Sequence, residues 1–310
     1  MTQKTKLYLL TGFLGAGKTT FLSSVLNDLS DKKVAVIMNE FGKVGIDGTI
    51  IQREGMELVE LNRGSIFCSC LQLSFVSALV EMVDRKMEYV FVESSGLADP
   101  SNIGEFLEAV EAVKGNVYDY SGAITIVDGA HFLLQLEEIE TVKRQLMFSN
   151  LVIISKVDLI AAEKLAQIKL KIREINQTAD IVESDKGSYD YDFLTKNLLA
   201  AGWVESEDTS NTPENRPKTL TLTYEDEISQ EKLLKFLNII KKDSYRIKGF
   251  VQLDTGCRQL DVVNDIIDFK ASDRCKDKSE LVIISKIGPQ IIRPIFAAWK
   301  EVVTTKMTLR

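Results

Sequence analysis

Gly12-Phe13-Leu14-Gly15-Ala16-Gly17-Lys18-Thr19 fits the pattern G-x-x-x-x-G-K-[ST] of a phosphate-binding loop. Its flanks are of the kind such a loop needs. Leu7-Tyr8-Leu9-Leu10 before it is a buried-strand run, and Phe21, Val25 and Leu29 after it are spaced along one face of a helix. Three glycines let the backbone curl so that N–H groups converge on phosphate oxygens, where the helix dipole adds roughly half a positive charge. Lys18 is placed to reach the β- and γ-phosphates, and the Thr19 hydroxyl to bind Mg²⁺. The plain alternative, a glycine-rich turn that matches by accident, does not account for the ordered strand and helix on either side.

Outward from the loop, apolar runs alternate with helical patterns: Val34 to Met38, Tyr89 to Val92, Ala123 to Val127, Leu151 to Ile154 and Ala179 to Val182. This alternation predicts an α/β fold, a mostly parallel sheet with helices on both faces, over residues 1–204. Residues 205–217 turn polar and acidic and read as a linker. Residues 218–310 predict a smaller α+β domain, with strands at Thr219 to Tyr224, Ile247 to Leu253, Leu260 to Ile267 and Leu281 to Ile284. Its helices are expected near Gln230 to Lys241 and Gln290 to Val302.

Composition sets limits. The 310 residues are 45% hydrophobic with a net charge of −7, which argues against a general nucleic-acid binder. No run of about 18 apolar residues is present and the N-terminus lacks an apolar leader, so a cytoplasmic protein without membrane association is expected. Cys68, Cys70, Cys257 and Cys275 are too few for a disulfide framework, and in a reducing compartment all four are expected as thiols, with Cys257 and Cys275 structural or incidental.

Ligands of such sheets bind beyond the strand carboxyl ends, so motifs that follow strands converge. Tyr89-Val90-Phe91-Val92-Glu93-Ser94-Ser95-Gly96 ends a strand in an acid. Glu93 can order Mg²⁺ or the attacking water, and the Gly96 N–H can sense a γ-phosphate. A strand-end acid alone would more simply be a helix cap; the phosphate loop tips the reading toward function. Leu151-Val152-Ile153-Ile154-Ser155-Lys156-Val157-Asp158 is similar to the guanine-reading signature N-K-x-D, with Ser155 in place of the asparagine. Asp158 keeps the carboxylate that accepts from guanine N1–H and its exocyclic amine, and the Lys156 stem packs along the base. Adenine leaves that acceptor unpaired, so GTP and GDP are the expected nucleotides.

With these residues in view, the chain resembles CobW-type GTPases, the cobalamin-synthesis W family of metal-associated P-loop proteins. The resemblance runs over nearly the whole chain. It is carried by Thr11 to Thr20, by Asn39-Glu40-Phe41-Gly42 with Gly45-Ile46-Asp47, by Glu93 to Pro100, by Val127-Asp128, by Gln145 and, more modestly, by Arg246-Ile247-Lys248-Gly249-Phe250. It implies contacts to nucleotide from Gly12, Gly15, Ala16, Gly17, Lys18, Thr19, Thr20, Gly96, Lys156 and Asp158, with a switch after Asn39. Lys18, Glu93 and Glu40 or Asp47 are then the catalytic set, Thr19 and Glu93 holding Mg²⁺. It also implies delivery or sensing of zinc or cobalt for a client metalloprotein or corrinoid protein. Intrinsic turnover is expected to be slow, accelerated by the client or a nucleotide-dependent homodimer, since spacing reveals no arginine finger or water-positioning glutamine.

The departures bear on metal. Family members typically carry G-C-x-C-C where this chain has Gly64-Ser65-Ile66-Phe67-Cys68, with Cys70 two residues on, and glutamates where it has Met38 and Lys43. Cys68 and Cys70 supply at most half of a tetrahedral shell, so a metal site, a redox pair and packed thiols all remain open. His131 reads as a polar residue at a helix start. Two other readings stand beside the GTPase: a nucleotide-dependent regulatory or assembly module that binds no metal, and an ATP-dependent small-molecule kinase, which Asp158 disfavours.

Overall fold

The computed structural model describes residues 4–40, 56–62, 72–185, 188–189, 191–196, 198–201, 217–263, 265–275 and 278–310. Asp47, Cys68, Cys70 and residues 205–216 of the expected linker lie outside the described residues, as does the side chain of Glu40. The chain divides into two compact units.

In the first unit, seven described strands form a parallel sheet ordered β3-β2-β4-β1-β5-β6-β7. They are β1 (Thr5–Thr11), β2 (Val34–Glu40), β3 (Glu57–Asn62), β4 (Tyr89–Glu93), β5 (Tyr118–Asp128), β6 (Leu151–Ser155) and β7 (Asp180–Glu183). The central β1 alternates between two cores. Tyr8 and Leu10 pack with Phe21, Leu22 and Val25 of α1 (Lys18–Asp28). Leu7 and Leu9 face the opposite core, with Phe75 and Leu79 of α2 (Gln72–Asp84) and Phe106 and Val110 of α3 (Ile103–Lys114). Helices on both faces require a strand apolar on both sides, which is why β1 reads as an unbroken run. The strand β3 escaped the sequence reading because Glu57, Glu60 and Asn62 interrupt its apolar residues. Among the described residues it pairs with β2 only, at the sheet edge, where such residues are tolerated.

The second unit is an antiparallel sheet of six described strands, ordered β11-β10-β9-β12-β8-β13. These are β8 (Thr219–Tyr224), β9 (Ser244–Leu253), β10 (Gly256–Val263), β11 (Ile266–Ala271), β12 (Ser279–Ser285) and β13 (Thr308–Leu309). A core of Leu222, Phe236, Leu237, Ile247, Leu281, Ile295 and Trp299 joins the sheet to the helix Gln230–Ile240 and the helix Ile292–Ala298. Gly249 has a steric reason: a Cβ there would come within 1.9 Å of the Glu280 carbonyl on β12. The stretch Leu260 to Ile267 is not one strand. The chain reverses between Val263 and Ile266 to pair β10 with β11, and apolar residues on both sides of that turn made the run look continuous.

The thiol expectation is corrected for one pair. Cys257 and Cys275 are joined in a disulfide with Cα atoms 5.7 Å apart. The hairpin brings together residues 18 positions apart, a proximity that spacing in the sequence does not disclose.

Candidate functional site

The ends of β1, β4, β5 and β6 gather around the segment 12–17, at the point where strand order reverses about β1. Gly12, Gly15 and Gly17 all take positive φ, at 132°, 78° and 105°, conformations that L side chains rarely adopt. Gly12 is also confined by space, since a Cβ would lie 2.2 Å from the Ile126 carbonyl on β5. Gly17 then caps α1, so the first N–H groups of that helix end at the loop.

Lys18 is buried, its Nζ donating to the carbonyls of Gly12 at 2.7 Å and Phe13 at 3.2 Å. The ammonium therefore lies across the loop it follows. The Thr19 hydroxyl donates to Oε1 of the buried Glu93 at 3.2 Å. A hydroxyl and a carboxylate in contact beside a lysine are hard oxygen donors suited to Mg²⁺, so the residues present fit that ion. Gly96 follows β4 with no room to spare, as a Cβ would sit 2.6 Å from the Leu14 nitrogen of the loop.

On the other side, Ser155 and Lys156 tie the end of β6 to the same loop. The Ser155 hydroxyl lies 2.7 Å from the Ala16 carbonyl and 3.1 Å from the Val127 carbonyl. Serine thus makes a link to the phosphate loop from the position where the signature has asparagine. Lys156 takes φ 58° and sends its ammonium to the Gly15 carbonyl at 3.0 Å and to Oδ2 of Asp128 at 2.6 Å. Asp128, buried at the end of β5, also accepts from the Ala130 N–H and faces His131 Nδ1 at 3.2 Å. His131 precedes the helix Phe132–Glu138, as expected of a helix-start residue. Asp158 lies exposed in the turn Val157–Leu159.

Ala16, Gly17, Thr20, Ser155, Lys156, Asp158, Leu159 and Tyr189 line one open cleft of about 210 Å³. Tyr189 was not anticipated. It packs edge-on against Phe21, and burial raises its phenol pKa above the usual value. Only its position after β7 hinted at a role. Gly12, Gly15, Ala16, Gly17, Lys18, Thr19, Thr20, Glu93, Gly96, Lys156 and Asp158 are thus brought to one end of one sheet, whereas the Glu40 side chain, Asp47, Cys68 and Cys70 fall outside what the structure describes. Among the described residues no group of three or more His, Cys, Asp or Glu side chains is arranged to hold a metal, and no helix is long and apolar enough to cross a membrane.

The family model described as the CobW/HypB/UreG nucleotide-binding domain matches residues 6–183. Among curated proteins, the zinc-regulated GTPase metalloprotein activator 1 of Saccharomyces cerevisiae is 33% identical over 198 residues, 55% of this chain and 46% of that protein. The zinc chaperone YjiA of Escherichia coli is 32% identical over 193 residues, 60% of this chain and 59% of that one. The chain spans about half the length of the curated relatives it matches. A solved structure of Zn(II)-bound YjiA GTPase from E. coli aligns over 96% of this chain and 99% of that chain, at 22% identity and a TM-score of 0.48.

Proposed function

Because this chain belongs to the CobW/HypB/UreG family of nucleotide-binding domains, we propose that it binds GTP, hydrolyses it to GDP and phosphate, and uses nucleotide state to control the handling of a transition metal or metallocofactor by a client protein. One observation carries the reading. The Lys18 ammonium is bonded to the carbonyls that begin the Gly12–Gly17 loop and Thr19 to Glu93, while Ser155 and Lys156, which open the turn to Asp158, are bonded to the loop's later carbonyls. A triphosphate along the loop and a base in the cleft fit that arrangement.

Catalysis in this reading is positioning and charge stabilisation. Loop N–H groups and Lys18 hold the β- and γ-oxygens. The ammonium exchanges its bonds to the Gly12 and Phe13 carbonyls for stronger, charge-assisted ones to phosphate. Thr19 and Glu93 would hold Mg²⁺, which when bound neutralises charge developing on the transferred phosphoryl group. Glu93, with Glu40 or Asp47, orients the attacking water, and the Gly96 N–H responds to the γ-phosphate. Asp158 selects guanine by accepting from N1–H and the exocyclic amine.

Zinc or cobalt enters as cargo, with Cys68 and Cys70 as the proposed ligands and further donors from Glu40, Asp47 or a partner. Two thiolates in place of three predict weaker zinc binding than in a three-thiolate relative. The shortened thiol block also favours a second reading, a GTP-dependent regulatory module that binds no metal. Zinc titration by calorimetry of the reduced protein with GDP, and then with a non-hydrolysable GTP analogue, separates the two. The GTPase itself is tested with Lys18→Ala, which is expected to abolish hydrolysis. Turnover near the unmutated rate, or equal affinity of the unmutated protein for ATP and GTP, would overturn it.

A further inference from the structure

Gln145 is buried on the helix Glu140–Met147, far in sequence from the loop after β4, yet it grips that loop. Its amide nitrogen donates to the Gly96 carbonyl at 3.3 Å and to the Ala98 carbonyl at 3.0 Å. These two bonds fix which end of the amide is the nitrogen. The other end, Oε1, is buried with no hydrogen-bond partner among the described residues. An apolar side chain of the same shape would fill the space without leaving an acceptor unmet, so the two N–H bonds are the feature that distinguishes glutamine here.

The neighbouring Arg144 makes a second attachment one residue beyond Ala98. Its Nε donates to Oδ2 of the buried Asp99 at 2.5 Å, and Asp99 Oδ1 accepts from the Ser101 N–H. The helix that carries both residues is itself anchored. Thr125 and Ser149 donate to the Gln145 carbonyl, and Asn176 donates to the carbonyls of Leu146 and Ser149. It leads directly into β6 and the Ser155–Asp158 turn. A rigid element adjoining the base cleft therefore holds a glycine-bearing loop whose opposite side touches Leu14 of the phosphate loop. Glycine has no side chain to hold it and wide conformational freedom. Its carbonyl is fixed from outside.

We propose that Gln145 and Arg144 form a two-point clasp that sets the orientation of Gly96 to Asp99 and so determines how strongly the protein prefers a nucleoside triphosphate to the diphosphate. Both are positioning residues, acting through the Gly96 peptide rather than on nucleotide. The inference rests on the GTPase reading above. A fixed Gly96 carbonyl limits rotation of that residue, so its N–H meets a γ-phosphate without the ordering cost a free glycine would carry. A diphosphate makes no such contact and should be indifferent to the clasp.

The test is Gln145→Met in the full chain, a change that keeps length and volume but removes the donor. Affinities for GDP and for a non-hydrolysable GTP analogue are measured by fluorescence, together with kcat and KM for GTP. The analogue is expected to weaken about tenfold, as for loss of a positioned hydrogen bond, with GDP affinity held within about twofold and kcat lowered. Equal weakening of both nucleotides, the result of a merely structural role, would overturn the clasp, and so would no change in either. If Gln145→Met does not fold, the same ratio measured in Arg144→Lys decides the matter. Failure of the unmutated protein to bind either nucleotide would instead overturn the reading on which the clasp rests.

Discussion

Lys156→Met tests how much the Lys156 ammonium adds to the Ser155 bond in holding the turn after β6 to the phosphate loop. Methionine matches the length of the stem and must occupy the same left-handed backbone position, φ 58°, so backbone cost cancels between the two side chains. What is lost is the 2.6 Å bond to Asp128 and the 3.0 Å bond to the Gly15 carbonyl. Asp128 is 2% exposed and keeps only the Ala130 N–H and the His131 contact from the described set. Breaking a fully buried ion pair costs about 3–5 kcal/mol. The Lys156 side chain is 31% exposed, and water reaching Asp128 past methionine reduces this to about 2 kcal/mol. Urea unfolding of Lys156→Met, Asp128→Asn and the double variant gives the coupling directly. A coupling of about 2 kcal/mol is expected, along with GDP affinity reduced by about tenfold. Additive single effects with unchanged GDP affinity would show that the two loops are held together by something else.

Gly96→Ala forces a methyl to within 2.6 Å of the Leu14 nitrogen. Displacing backbone by that much is expected to weaken GTP-analogue binding about tenfold or more; an analogue titration matching the unmutated curve would refute the tight approach. Asp158→Asn removes the charged acceptor and is expected to reduce discrimination between GTP and ATP by about 2 kcal/mol in competition binding; undiminished discrimination would remove Asp158 from base reading. Opening the Cys257–Cys275 bridge with reductant releases a loop of 18 residues and is expected to lower the stability of the second unit by about 3 kcal/mol. Urea midpoints that coincide with and without reductant, followed by Trp299 fluorescence, would contradict that role.

What was legible in the sequence were features local to it. Gly12 to Thr19, Glu93 and Asp158 each follow directly on an apolar run, and the topology that converts strand ends into one site follows from alternation alone. The hidden features join distant residues. Nothing in spacing relates Gln145 to the Gly96 carbonyl, Lys156 to Asp128, or Tyr189 to Gly17, because each depends on which strands become neighbours. The strand β3 was hidden for the opposite reason, its polar residues standing at the edge of the sheet formed by the described strands. Cys257 and Cys275 were misread because compartment was used where a hairpin decides proximity.

Between Leu7 and Thr11 every residue of β1 is buried, with Leu7 and Leu9 in one core and Tyr8 and Leu10 in the other. No position from Leu7 to Thr11 can be altered without disturbing packing on one side or the other. In a saturation screen scored on solubility, Leu7 to Thr11 should accept almost nothing. Variation that retunes ligand choice is therefore expected in the loops at the strand ends, and comparison of related chains there, rather than along β1, is where differences of specificity are to be sought.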